Sequence, residues 1–219
     1  MFLGDSLKDK VHIIGLLDDG VLSIPLKTMR IMQDADLMFG GERHLAFFPN
    51  HTAKKIPIKS NLKEIAETIK MNLGGLQMVV LASGDPNFYG IAKYLVGKLG
   101  KEAVEIVPNV SAMQLAFARI KEGWEDAYLG SVHARPIEAI VESVRRANKA
   151  GLFTDEEHTP AVIAKTLLEK GIENRVAYVC ENLGGEEERV TQSDLARLTQ
   201  MRFSPLNVLI IIKSEEVAS

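Results

Sequence analysis

Several short stretches carry residues whose types and spacing suit chemistry. Leu81-Ala82-Ser83-Gly84-Asp85-Pro86-Asn87-Phe88-Tyr89-Gly90 runs from an apolar segment into a turn of Gly, Asp and Pro. Gly84 lets a ligand approach the backbone, and Asp85 supplies a carboxylate that accepts hydrogen bonds from hydroxyls or an ammonium group. The plainer reading is that Asp85 caps a helix over Phe88–Leu99. In Pro108-Asn109-Val110-Ser111-Ala112-Met113, Ser111 reads first as a helix cap and second as one edge of a ligand site at a helix N-terminus. Two such loops side by side would build one pocket. In Ser131-Val132-His133-Ala134-Arg135-Pro136, a His and an Arg two apart point to the same side, which suits proton transfer or carboxylate binding. Taken alone, that pair is read more simply as a satisfied surface His and a solvated Arg.

Other stretches exclude chemistry. Gly15-Leu16-Leu17-Asp18-Asp19-Gly20 has two glycines at phosphate-loop spacing, but Val21-Leu22 stands where a Lys and a Ser/Thr are needed. Its two carboxylates would repel phosphate, so it reads as an ordinary strand-to-helix turn. Cys180, the one cysteine, rules out a disulfide and a Cys-based zinc site and reads as a small core residue. His12, His44, His51, His133 and His158 show no ligand spacing, so no metal is expected. Cys180-Glu181-Asn182-Leu183-Gly184-Gly185 and Pro205-Leu206-Asn207 flank C-terminal strands.

These motifs need elements to hold them. Apolar runs at Val11–Leu16, Leu37–Phe39, Gln77–Ala82 and Val104–Val107 predict strands. Helices are expected after Pro25, after Asn61 (a candidate N-cap, with Glu64 placed for a capping box), over Phe88–Leu99 and over Met113–Ile120. This alternation predicts a parallel α/β sheet. A polar stretch, Lys121–Asp126, suggests a boundary, giving a tail over 1–10, an N-terminal α/β domain over 11–122 and a C-terminal one over 123–219. In the second domain, strands are expected at Tyr128–Val132, Gly151–Phe153, Arg175–Cys180, Glu188–Thr191 and Asn207–Lys213. Helices are expected at Pro136–Ala147, from Thr159-Pro160 through Leu168, and at Asp194–Gln200. A hairpin within this series makes its sheet mixed.

The chain has 219 residues, a formal net charge of −3, 46% hydrophobic and 25% charged residues. That is ordinary for a globular protein with a sizeable core and excludes intrinsic disorder. No apolar run reaches the ~20 residues of a membrane span, and the N-terminus lacks the apolar stretch of a secretory signal, so the cytoplasm is expected. A mildly acidic chain with no basic stripe is not expected to bind nucleic acid.

In their order, the motifs are more specific than any one of them. Ala35-Asp36 with Gly40-Gly41-Glu42-Arg43-His44-Leu45, then Leu81–Gly90, Val110–Arg119, Trp124-Glu125-Asp126-Ala127, Ser131–Pro136, Thr154-Asp155 with Thr159-Pro160, and Cys180–Gly184 with Glu188-Arg189 follow one another over nearly the whole chain. This set resembles the tetrapyrrole methylases, the class III S-adenosylmethionine-dependent methyltransferases, and within them the precorrin-6Y C5,15-methyltransferase family. The resemblance implies two α/β domains with a cofactor cleft between them, usually in a homodimer. It implies methyl transfer from S-adenosylmethionine to C5 of precorrin-7 or cobalt-precorrin-7, with S-adenosylhomocysteine as product. By position, Gly84, Asp85 and Phe88 would hold the donor's amino-acid portion, Ser111 and Ala112 would lie beside it, and Thr154, Leu183 and Leu206 would face the adenosine. His133 is the candidate for proton handling. Arg43, Arg119 and Arg135 are candidates for the carboxylates of the reduced tetrapyrrole, with a helix C-terminal cap as the other reading of Arg119.

Two departures stand out. The family's first loop usually reads Gly-x-Gly-Pro-Gly, and Ala134 replaces a Gly. A chain of this length leaves no room for the C15-methylating, decarboxylating module of fused relatives, so that activity is expected in a separate protein. The rival readings are a sister tetrapyrrole methylase acting at another carbon, diphthine synthase (which these segments fit poorly), a non-catalytic donor- or tetrapyrrole-binding subunit, and an α/β ligand binder without a cofactor.

Overall fold

The computed structural model describes residues 7–133 and 136–214. The chain forms two compact units, 1–111 and 112–219. The first contains a five-stranded, wholly parallel sheet in the order β3-β2-β4-β1-β5, formed by β1 (Val11–Leu16), β2 (Leu37–Gly40), β3 (Lys54–Pro57), β4 (Met78–Ser83) and β5 (Val104–Val107). Four helices accompany it: α1 (Leu26–Gln33), α2 (Glu42–Ala46), α3 (Leu62–Asn72) and α4 (Ala92–Leu99). β1 and β4 are almost wholly buried because apolar side chains point to both faces. Val11, Ile13, Phe39, Met78 and Val80 pack with Ile65 and Ile69 of α3 and Leu95 of α4. On the opposite face, Ile14, Leu16, Met38, Val79 and Leu81 pack with Ile31 and Met32 of α1 and Leu45 of α2.

The second unit has a mixed sheet in the order β6-β7-β10-β8-β9. Its strands are β6 (Tyr128–Ser131), β7 (Lys149–Phe153), β8 (Arg175–Glu181), β9 (Arg189–Asp194) and β10 (Asn207–Lys213). β6 and β7 are parallel. β10 runs antiparallel to both β7 and β8, and β8 and β9 form the expected hairpin. One face is covered by α6 (Glu138–Arg146), α7 (Pro160–Glu169) and α8 (Leu195–Leu198). The other face receives α5 (Ala112–Ile120), which packs on β7 and β10. A Cβ on Gly151 would lie 2.4 Å from the Met113 sulfur, so the bare backbone of β7 admits this helix. α5 therefore counts with the second unit, whereas the polar stretch Lys121–Asp126 placed the boundary after it. No helix of the described residues is long and apolar enough to cross a membrane.

Several local expectations are corrected. α2 and β3 were not foreseen. The helix expected from Phe88 begins at Ala92 instead. Tyr89 adopts a φ of +56°, the left-handed region, which a helical turn cannot include. Asn61 sits at the N-cap position, but its side chain makes no cap bond. Its Oδ1 accepts from the Lys59 N–H at 2.8 Å, and its Nδ2 donates to the Pro57 carbonyl at 3.2 Å. Thr159 does cap α7, accepting from the Val162 N–H at 3.3 Å, with Pro160 at the first helical position. α8 is shorter than the expected Asp194–Gln200. Asp194 serves as its cap, accepting from the Arg197 N–H.

Candidate functional site

In the first unit, the carboxyl ends of the parallel strands bring three loops together. Such strand ends are where open α/β sheets receive ligands. The Gly84 N–H donates to the Leu16 carbonyl at 2.7 Å, and the Gly84 carbonyl accepts from the Asn109 N–H at 3.1 Å. A Cβ on Gly84, whose φ is +53°, would come within 2.8 Å of the Ser111 Cα. The loop after β4 and the loop after β5 are thus in direct backbone contact. Asp85 Oδ1 accepts from the Asn87 N–H at 2.9 Å, closing an Asx turn that presents the half-buried carboxylate. Asp85 therefore caps its own turn and not the helix that follows. The Phe88 ring meets the Tyr89 ring edge to face at 5.0 Å. Ser111 is buried, and Ala112 opens α5.

A second feature of this strand-end surface was missed. Arg43 on α2 donates to Asp18 Oδ1 at 2.6 Å and to Ser83 Oγ at 3.3 Å. Buried His44 turns its Nε2 toward Ser83 Oγ at 3.2 Å and the Arg43 guanidinium at 3.5 Å. Burial lowers the His44 pKa to about 4; the adjacent guanidinium lowers it too, while Asp18 opposes the shift. The ring is neutral near pH 7, and its Nε2 accepts. Three residues at or beyond the ends of β1, β2 and β4, namely Asp18, His44 and Ser83, thus gather around the Arg43 cation. The sequence signal was there in Arg43 and His44 side by side after Gly40-Gly41. The sheet order that brings Asp18 and Ser83 to them was not visible. The turn over Leu17–Gly20 is the ordinary one expected, closed by a Gly20 N–H to Leu17 carbonyl bond at 3.2 Å.

In the second unit, Thr154, Leu183 and Leu206 come to one end of the sheet. Because β10 is antiparallel, its first residue lies beside the last residues of β7 and β8. Thr154 Oγ1 donates to Asn207 Oδ1 at 2.8 Å, and the Asn182 N–H donates to the Leu206 carbonyl at 2.9 Å. Leu183 is buried and Leu206 is 46% exposed. His133 follows β6 at this same end and is exposed, its Nδ1 4.0 Å from Asp155 Oδ2. The Asp155 carboxylate also accepts from the His158 N–H at 2.6 Å and faces the His158 ring.

Arg119 does not cap its own helix. It forms a two-pronged pair with Glu188, in which Nη2 lies 3.1 Å from Oε2 and Nε meets Oε1. The pairing holds the Glu188 carboxyl below its usual range, against the opposing effect of burial, and the Gly184 N–H adds to it. Buried Glu181 is similarly engaged. Burial raises its pKa, but Arg189 and the Ser204 N–H outweigh that and leave it lowered. Cys180 is buried, and burial pushes its thiol up to about 12, so it is inert core. Arg135 and Ala134 lie outside the described residues.

Residues 10–199 match the family model of the Tetrapyrrole (Corrin/Porphyrin) Methylases. The chain is 30% identical over 214 residues to a probable cobalt-precorrin-7 C(5)-methyltransferase of Methanocaldococcus jannaschii, covering 94% of this chain and 100% of that protein. It is 30% identical over 204 residues to a precorrin-6Y C(5,15)-methyltransferase [decarboxylating] of Sinorhizobium, covering 91% of this chain and 48% of that protein. The chain thus spans about half the length of that second relative. A structure of uroporphyrin-III C-methyltransferase from Thermus thermophilus complexed with S-adenosylhomocysteine superposes with a TM-score of 0.76 at 18% identity, covering 92% of this chain and 96% of that one. At that identity the likeness establishes the fold.

Proposed function

Because the chain belongs to the tetrapyrrole (corrin/porphyrin) methylases, we propose that it is an S-adenosylmethionine-dependent C-methyltransferase of cobalamin biosynthesis, acting at C5 of precorrin-7 or cobalt-precorrin-7. The observation that carries this reading is the match to the M. jannaschii protein over the whole of that protein's length. The substrate is a reduced tetrapyrrole. The enzyme works in the cytoplasm as a homodimer.

The residues present fit such a donor. In the first unit, the Asp85 carboxylate suits an ammonium group, and Gly84, Phe88 and Ser111 frame its turn. In the second, Thr154 and Asn207 offer hydrogen-bonding groups beside apolar Leu183 and Leu206, a combination that suits a nucleoside. Ala112 completes the set. When bound, the sulfonium supplies an already activated methyl group. The protein's work is then to align acceptor carbon and methyl at about 3–3.5 Å and to exclude water, with no covalent intermediate on a side chain. His133, with Asp155 facing its ring, holds or accepts the proton that the macrocycle must exchange. Arg43, Arg119 and Arg135 are the proposed partners of substrate carboxylates, although Arg43 and Arg119 each already face a carboxylate within the chain.

The test is methyl transfer from labelled S-adenosylmethionine to a precorrin-7-type substrate under reducing conditions. The reading predicts a product heavier by one CH2, a methyl in place of a hydrogen, formed about tenfold or more slowly by Asp85→Ala at subsaturating donor. Label reaching no tetrapyrrole would contradict it.

A further inference from the structure

We propose that Asp18 stands in for a substrate carboxylate on Arg43, and that an acidic tetrapyrrole binds by displacing it. This deepens the methyltransferase reading and rests on it. The two sides of the Arg43 guanidinium are built differently. One side is seated on Ser83 Oγ at 3.3 Å and on the His44 ring at 3.5 Å. His44 is buried and Ser83 ends β4, so this seat belongs to the rigid part of the unit. Neither group brings charge, since a neutral imidazole and a hydroxyl orient the guanidinium without cancelling it.

The other side meets Asp18 at 2.6 Å, where the side chains are 40% and 22% exposed. Asp18 lies on a short turn whose other carboxylate, Asp19, is tied back by Ser23 Oγ at 2.8 Å. Ser23 is held in turn by Asn109 Nδ2 at 3.2 Å. The turn is therefore fixed in place, and Asp18 is the member of it that reaches the cation. A solvent-reachable ion pair stabilises a fold little, so giving it up costs little. Asp18 meets the guanidinium through Nη1 alone, while Nη2 is held by the seat, so a ligand carboxylate can take the place of Asp18 at Nη1 without disturbing that seat. A macrocycle edged with acetate and propionate groups offers several. Asp18 thus sets a threshold: a ligand with a well-placed carboxylate displaces it, and one without does not.

The probes are uroporphyrin, its methyl ester and S-adenosylhomocysteine. Porphyrin binding is followed by fluorescence and donor-product binding by calorimetry. Asp18→Asn is expected to tighten uroporphyrin binding about fivefold and to leave S-adenosylhomocysteine binding unchanged. Arg43→Met is expected to weaken uroporphyrin binding and to make Asp18→Asn silent when the two are combined. The ester is expected to bind alike to all variants. Asp18→Ser repeats the first arm in case the amide perturbs the turn. If both Asp18 variants bind uroporphyrin no better than wild type while retaining S-adenosylhomocysteine, exchange is overturned, as it is if no variant binds uroporphyrin. Failure of the wild type to bind S-adenosylhomocysteine would instead strike the methyltransferase reading, and that arm reports it separately.

Discussion

Gly15 and Gly84 meet so closely that a Cβ on Gly15 would stand 1.7 Å from the Gly84 carbonyl oxygen. That carbonyl accepts from the Asn109 N–H, and the Asn109 Nδ2 donates to the Gly15 carbonyl at 3.4 Å, so the ends of β1, β4 and β5 are locked to one another. The proposed donor loop inherits its position from this contact.

Gly15→Ala should therefore force backbone apart. We expect a loss of about 3 kcal/mol in urea denaturation, at the upper end of overpacking costs. A loss below about 1 kcal/mol would mean that the three strand ends are not locked in this way.

His44 makes stability depend on pH. Its folded pKa, about 4, lies below the ordinary value of 6.5. The unfolded chain thus binds the extra proton first as pH falls, and the stabilisation present above pH 6.5 is lost progressively toward pH 4. The wild type should lose on the order of 3 kcal/mol more than His44→Gln between pH 7 and pH 4. Equal losses in the two proteins would show that His44 is not the titrating group.

Glu181 and Arg189 should respond unequally to mutation. The carboxylate is buried and the guanidinium is largely exposed. Arg189→Ala strands a buried charge and should cost about 3 kcal/mol, less at acid pH, where the carboxyl can protonate. Glu181→Gln leaves only an exposed cation and a weaker acceptor for the Ser204 N–H, and should cost about 1 kcal/mol. Equal costs measured at pH 7 would refute this asymmetry.

Arg119 and Glu188 fasten α5 to the loop after β8. Because both side chains reach solvent, a double-mutant cycle with Arg119→Met and Glu188→Gln should give a coupling of about 1 kcal/mol, weaker at high salt. A coupling indistinguishable from zero would free Arg119 for a substrate carboxylate.

How far the sequence could be read depended on the kind of pattern. Buried strands such as β1 and β4 announce themselves as apolar runs, and their alternation with helices implies a parallel first sheet. Thr159-Pro160 marked the start of α7 because cap chemistry is local. α2 is only five residues long, too short for a helical period to show. β3 is partly exposed and opens with two lysines, so no apolar run marked it. The helix expected at Phe88 was lost to one left-handed residue, Tyr89, which no propensity announces. Asp85 and Gly84 were legible as a turn. The cluster of Asp18, Arg43, His44 and Ser83 was not, because it depends on β1, β2 and β4 ending together. The pairing of Thr154 with Asn207 likewise needs the antiparallel register of β10 beside β7, which the sequence left open.

The most direct test of the donor assignment is a calorimetric titration of the purified protein with S-adenosylhomocysteine, in parallel with Asp85→Ala. Saturable one-to-one binding is expected for the wild type, weakened about tenfold or more in the variant, as when a charged hydrogen bond to the ligand is removed. Absence of binding by the wild type at millimolar ligand would contradict that assignment, and unchanged affinity in Asp85→Ala would move the donor's amino-acid portion away from the loop after β4.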